Sequence, residues 1–190
     1  LDALHALGAG NVFVVDDNFI GDRRRAKELL VAIAAWQEAR GRPIGMMTEV
    51  TINVAADAEL LRLLREANFT AVFVGIESPR AASLAESRKT QNLREGLLAS
   101  VHRIQAAGIE VMAGMIVGFD HDDATIFDEQ FRFIEAARIP ISMTGLLNAV
   151  PRTPLHRRLQ EAGRLVDDSV GDQFVFTNVV PLAMNRAQLY

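Results

Sequence analysis

Five times along the chain a short run of aliphatic residues breaks off into carboxylates or amides, and a helix-starting residue follows. The first case is the run at residues 12–15, which ends in Asp16, Asp17 and Asn18; Gly21 turns the chain and Asp22 can cap a helix reaching about residue 40. An apolar run without alternation predicts a strand buried on both faces, as in a parallel sheet covered by helices. In parallel α/β folds the C-terminal ends of the strands are where ligands bind.

The same grammar repeats. Gly41 and Pro43 end the first long helix, and a second strand is expected at 44–52, with Glu49, Thr51 and Asn53 near its end. Asp57 caps a helix at 58–67, and Asn68 is suited to the left-handed turn that follows it. A third strand at 70–76 leads into Glu77-Ser78-Pro79 and a short helix at 79–86. Asn92 and Glu95 form a capping-box pair for a helix at 93–107, which Gly108 closes. A fourth strand at 109–117 contains Gly114 and precedes Gly118, and Asp123 is expected to cap a helix to residue 138. The fifth, at 139–147, ends in Asn148; Thr153 and Pro154 then open a helix at 155–162, closed by Gly163. Beyond Arg164 the periodicity fades, with an extended piece expected at 175–181. The strand starts are spaced as βα units are, so the pattern predicts either an open doubly wound sheet or an arc of a barrel. A closed eight-stranded barrel needs about 250 residues, more than this chain has.

Composition narrows the function classes. Of 190 residues, 49% are hydrophobic, which suits a domain with a real core. The net charge of −4 gives no electrostatic case for nucleic acid or an anionic membrane. No apolar run approaches the roughly 18 residues of a membrane span, and a cytoplasmic location is expected. With no cysteine, the chain offers neither disulfides nor thiolate metal ligands. It opens at Leu1 on what reads as the last turns of a helix (Leu1, Leu4 and Leu7 on one face), so a fragment of a longer protein is expected. Residues 1–163 are read as the barrel-like unit, and 164–190 as a tail leading into another region.

If the strands are parallel, Asp16, Asp17, Asn18, Glu49, Asn53, Glu77, Asp120 and Asn148 converge on one rim rich in acceptors. Such a rim suits an amine, a ribose diol or Mg²⁺, which leaves a Mg²⁺-dependent lyase or hydrolase and a non-catalytic binding module as alternatives. Gly114 and Gly118 flank a strand end, where a flat ring can rest against the backbone and bond its amides. The cluster Asp120-His121-Asp122-Asp123 looks like metal ligands, but Asp123 is better used as a cap, and no second histidine stands at a ligand spacing.

Four segments then carry a resemblance. Val12-Phe13-Val14-Val15-Asp16-Asp17-Asn18-Phe19 resembles the second-strand motif of the cobalamin-associated radical SAM enzymes. Val72 to Pro79, followed by Lys89-Thr90-Gln91-Asn92, is similar to their fourth-strand segment, and Val111 to Asp120 to their fifth. Leu146 to Leu155 is similar to the sixth. All four occur in the family's order, and the finer likeness is to the subgroup that includes hopanoid methylases.

The resemblance implies an α/β fold, a truncated (β/α)₆ radical SAM core: a partial (β/α) barrel of about five parallel strands with helices outside. It implies S-adenosylmethionine (SAM) and a [4Fe–4S] cluster at the C-terminal rim, cobalamin in the parent protein, and methyl transfer to a small or lipid-like substrate. By motif position, Asp16, Asp17 and Asn18 would lie near the methionyl amino end and Glu77 near the ribose or methionyl group. Gly114, Ile116 and Gly118 would border the adenine, with Asn148 nearby. Glu49, Lys89 and Asp120 are further candidates for SAM or substrate contacts. The departures are clear. The family's CxxxCxxC loop is absent, Arg152 stands where glycine is common, and His121 stands where some relatives have an acid. The chain alone is therefore expected to hold no cluster and to be inactive. Its first strand, lacking an outer neighbour, is expected to pair with a second copy or with the tail around residues 174–180.

Overall fold

Each of the five aliphatic runs forms a strand, and the five lie parallel in one sheet in sequence order. In the computed structural model, which describes residues 1–86, 96–166 and 176–190, the strands are β1 (Asn11–Val14), β2 (Gly45–Val50), β3 (Phe69–Glu77), β4 (Glu110–Val117) and β5 (Ile141–Leu146). Every crossover therefore steps in the same direction. With right-handed connections, all the crossover helices then fall on one face of the sheet. A doubly wound sheet reverses its order once and carries helices on both faces, so the order selects the other reading, and the sheet curls into a half-barrel.

The helices are α1 (Asp2–Ala6), α2 (Arg23–Glu38), α3 (Ala58–Glu66), α4 (Ala81–Glu86), α5 (Leu97–Ala106), α6 (Ile126–Ala136), α7 (Pro154–Glu161) and α8 (Arg186–Leu189). Local chemistry sets their limits as the sequence predicts in most cases. Asp22 accepts the Arg25 amide at 3.1 Å, Asp57 the Leu60 amide at 3.0 Å, and Thr153 the His156 amide at 3.2 Å. Asn68 takes φ 66° after α3, and its side-chain amide also donates to the Ile44 carbonyl at 2.8 Å. The capping box of Asn92 and Glu95 lies outside the described residues.

The main core sits between the sheet and these helices. α2 turns Ala26, Leu30 and Ile33 inward at helical spacing, and α3 contributes Leu60, Leu61, Leu63 and Leu64. They meet the sheet's outer face, where Val72, Val74, Ile76, Val111 and Ala113 are fully buried. Each buried valine, leucine and isoleucine among them contributes about 1.5–3 kcal/mol of burial free energy.

Three expectations change. β1 is not buried on both faces: Phe13 is 41% and Val15 88% exposed, because they point into the open inner face of the half-barrel. Asp123 is not the cap of α6. Thr125 holds that position, and Asp123 Oδ1 instead accepts the Thr125 amide at 3.0 Å, tightening the turn just before the helix. The described part of the tail does not lie along β1. It runs past the far end of the sheet, where the Asn178 side chain exchanges two hydrogen bonds with the Ala149 backbone, at 2.8 and 2.9 Å. Residues 164–166 pair with 178–180 through an isolated antiparallel bridge between Leu165 and Val179. Tail residues 176–180 are thus drawn to polar groups beyond β5, while among the described residues β1 pairs with β2 alone.

Arg152 tests the local reading of the turn before α7. It adopts φ 72°, a left-handed conformation that costs a residue with a Cβ roughly 1–2 kcal/mol. Arg152→Gly is expected to raise stability by about 0.5–1 kcal/mol, after the greater unfolded-state entropy of glycine is subtracted. Urea denaturation of the two proteins measures it, and a drop in stability would mean that the arginine side chain outweighs its backbone strain.

Candidate functional site

The inner face of the half-barrel is lined by the alternate strand residues that do not face the helices. β3 contributes Phe73, Gly75 and Glu77, β4 contributes Gly114 and Ile116, and β5 contributes Met143 and Gly145; together they bound a hollow of about 290 Å³. The hollow exists because glycine recurs across neighbouring strands. Gly75 is in register with Gly114, and Gly145 with Ile116, so the floor is bare backbone flanked by larger side chains. A Cβ built on Gly114 would lie 2.9 Å from Phe73 Cζ, so the phenylalanine ring lies across that glycine. Glycine inside a strand commonly marks such a close approach.

Glu77 stands at the rim of this hollow. The ladder between β3 and β4 shifts between Gly75 and Glu77, which re-aims the end of β3. Glu77 itself takes φ 68°. Five residues other than glycine have positive φ in the described structure, and Glu77 alone among them lies within a strand. A left-handed glutamate at a strand end is costly for a residue with a Cβ.

The other expected site residues also follow the C-terminal ends of their strands, but they are used differently. Asp16 Oδ1 accepts the Asn18 amide at 2.9 Å, and Asp16 and Asp17 are exposed. Asn18 Oδ1 accepts the Thr51 amide at 3.3 Å, and the Phe19 amide donates to the Glu49 carbonyl at 3.0 Å, so the loop after β1 is tied to the end of β2. The Glu49 side chain lies half-buried on the inner face of β2. Asn148 donates to the Phe176 carbonyl at 2.9 Å and accepts the Asn178 amide at 3.3 Å, so its amide group pins the tail. Lys89 lies outside the described residues.

Asp120 is turned away from the hollow and paired with Arg164 at 2.6 Å and with Arg158. Burial pushes its carboxyl up, but hydrogen bonds from Arg164 and then Arg158 outweigh that and hold it below the ordinary carboxylate range. Gly118 has φ 107°, and its amide donates to Asp122 Oδ2 at 2.9 Å. That amide is therefore not free to bond a ring, as the sequence reading has it. Gly118 does not line the hollow; Leu147 and Leu189 pack where its side chain would point.

The sequence reading missed Asp122, Phe73 and Gly145. Asp122 is fully buried in a stretch whose sequence looks like a cluster of metal ligands. Arg80 just before α4, and Ser83 and Glu86 on it, are spaced by three and face that stretch, and the spacing is the signal that finds it. Among the described residues no three acidic, histidine or cysteine side chains converge as a metal site requires, so the rim gives the Mg²⁺ reading no ligand set. Among them, too, no helix is long and apolar enough to cross a membrane.

No family model matches the chain. It is 42% identical over 184 residues to an uncharacterized methyltransferase of Synechocystis, covering 95% of this chain and 34% of that protein. It is 43% identical over 159 residues to the hopanoid C-2 methylase of Rhodopseudomonas palustris, covering 84% of this chain and 30% of that one. The chain thus spans about a third of the length of the curated relatives it matches. Among solved structures it resembles the radical S-adenosylmethionine methyltransferase TsrM of Kitasatospora setae with cobalamin and a [4Fe–4S] cluster bound. There the TM-score is 0.71 at 18% identity, over 90% of this chain and 36% of that one. The form of TsrM with tryptophan substrate and a SAM analogue gives a TM-score of 0.68 at 19% identity.

Proposed function

We propose, from the premise that this chain belongs with the cobalamin-associated radical SAM enzymes, that its half-barrel is the SAM-binding core of such an enzyme. The parent protein is then a cobalamin-dependent radical methyltransferase acting on a small or lipid-like substrate. Residues 1–163 form the core and 164–190 the tail leading from it.

The observation that carries the reading is the glycine-floored hollow with Glu77 held at its rim. Gly75, Gly114 and Gly145 keep the hollow shallow beside Phe73 and Ile116, which suits a flat adenine ring packed against Phe73. A carboxylate at the rim accepts hydrogen bonds from a ribose diol or an ammonium group, and charge-assisted bonds of this kind are roughly twice as strong as neutral ones. Asp16, Asp17 and Asn18 lie after β1, where the methionyl amino end would extend, with Glu49 beside them. When bound, SAM supplies the electrophilic sulfonium. This chain's residues bind and orient it.

The [4Fe–4S] cluster does not fit the residues present. The chain contains no cysteine, so the thiolates that such a cluster needs must come from outside this sequence. The chain alone is accordingly proposed to be inactive. Its remaining capacity is SAM binding, weaker than in the parent. Titration of the chain with SAM, followed by ligand-observed NMR, is expected to give saturable binding. Glu77→Ala is expected to weaken it at least about tenfold, the equivalent of one charge-assisted hydrogen bond. Absence of binding by the unaltered chain would overturn the proposal.

A further inference from the structure

Asp122 is the one fully buried carboxylate among the described residues, and nothing in the SAM-binding reading uses it. Its Oδ2 accepts two successive backbone amides, Gly118 at 2.9 Å and Phe119 at 3.0 Å. Its Oδ1 accepts the Ser83 hydroxyl at 2.6 Å. The first two bonds fold the chain around the carboxylate just after β4, where Gly118 makes its left-handed turn at φ 107°. The third ties that turn to α4, the helix that begins four residues after Glu77.

α4 meets the same loop at two more points. Glu86 accepts the amides of Asp120 at 2.9 Å and His121 at 3.1 Å. Arg80, the residue just before α4, donates to Asp123 Oδ1 at 3.2 Å and to the Thr125 hydroxyl at 2.7 Å in that loop, and pairs with Glu129 of α6 at 2.6 and 3.0 Å. Arg80 just before α4, with Ser83 and Glu86 on it, thus ties this helix to the β4–α6 connection. This short helix sets the distance between the two strand ends that flank the hollow.

We propose that Asp122 is a positioning residue for the ligand of the hollow: it fixes the backbone after β4 relative to Glu77, through Ser83 of α4. The inference rests on the SAM-binding reading above and gives the site a supporting residue outside its wall. Burial favours the neutral form of Asp122, more than the hydrogen bonds from Ser83, Gly118 and Phe119 favour the charged one.

The proposal separates position from stability. Asp122→Asn keeps the shape and one acceptor oxygen but removes the charge. It is expected to raise the hydrogen-exchange rates of the Gly118 and Phe119 amides and to weaken SAM binding about tenfold, at an unchanged or raised Tm. Ser83→Ala is expected to move exchange and affinity the same way by a smaller factor. Asp122→Ala is expected to exceed both, and if it fails to fold, the asparagine variant decides. SAM affinity and amide exchange within twofold of the unaltered chain would overturn the proposal, and so would an affinity loss matched by a fall in Tm. If the unaltered chain binds no SAM, the reading of the hollow fails instead. That outcome is distinct from a binding chain that is indifferent to Asp122.

Discussion

Gly114→Ala is expected to reduce SAM affinity by about tenfold, the loss of roughly 1.4 kcal/mol of contact in the hollow, while leaving the fold nearly as stable as before. The new methyl carbon would lie 2.9 Å from Phe73 Cζ and 3.1 Å from Cε1, closer than such atoms stand in folded proteins. The backbone of Gly75, at 3.7 Å, is not crowded. The strain therefore falls on the far end of one side chain, which is free to swing. Phe73 is only half-buried, and the space open to it is the hollow that it lines. The ring moves into the volume proposed for the ligand. Overpacking costs about 1–3 kcal/mol in a closed core, less beside an open hollow, and the smaller unfolded-state entropy of alanine returns about 0.4–1 kcal/mol. Titration of both chains with SAM, alongside urea denaturation, measures the two effects separately. Unchanged affinity would show that the ligand does not use the glycine floor.

Much of this architecture is legible in the residues because it rests on local chemistry. Asp22, Asp57 and Thr153 cap helices where their side chains alone predict it, and Asn68 takes the left-handed turn for which asparagine is suited. Strand order is a different kind of fact. Periodicity gives βα units but not the direction of each crossover, so it leaves a doubly wound sheet and a barrel arc both open. The four family-like motifs in order point to the arc, and the parallel order β1 to β5 bears that out.

What the residues conceal depends on partners distant in sequence. Asp122 and Asp123 look alike in the chain, yet one is fully buried against Ser83, thirty-nine residues earlier, and the other stays exposed beside Thr125. Asn148 reads as a ligand-facing amide because it ends a strand, but the tail returns twenty-eight residues later to claim it. Asp120 is likewise claimed by Arg158 and Arg164. At a rim of polar residues, those engaged by later segments and those left for a ligand carry the same local signature. Glu77 is set apart only by its backbone, with its left-handed φ and the shifted ladder beside it.

Arg80→Met is expected to destabilise the fold by about 2 kcal/mol and to lower Tm by about 4–8 °C for a chain of this size. Arg80 is largely buried, and its guanidinium meets Glu129 at 2.6 and 3.0 Å and the Thr125 hydroxyl at 2.7 Å. Breaking a fully buried pair costs about 3–5 kcal/mol and an exposed pair at most about 1. Glu129 is partly exposed, which screens the pair and places the loss between those limits. The pH dependence carries a definite sign. The hydrogen bond from Arg80 is the foremost cause that holds the Glu129 carboxyl below its ordinary range. A carboxyl lowered in the fold adds stability above its unfolded pKa, and that stability is lost as the pH falls through the lowered value. The difference between the two proteins is therefore expected to be full near neutral pH and to shrink in acid. Arg80→Lys keeps the charge without the planar fork and is expected to fall between them. Thermal unfolding of the three proteins across this range measures the pattern. A difference that persists unchanged in acid would assign the role of Arg80 to packing of its aliphatic stem rather than to its charge.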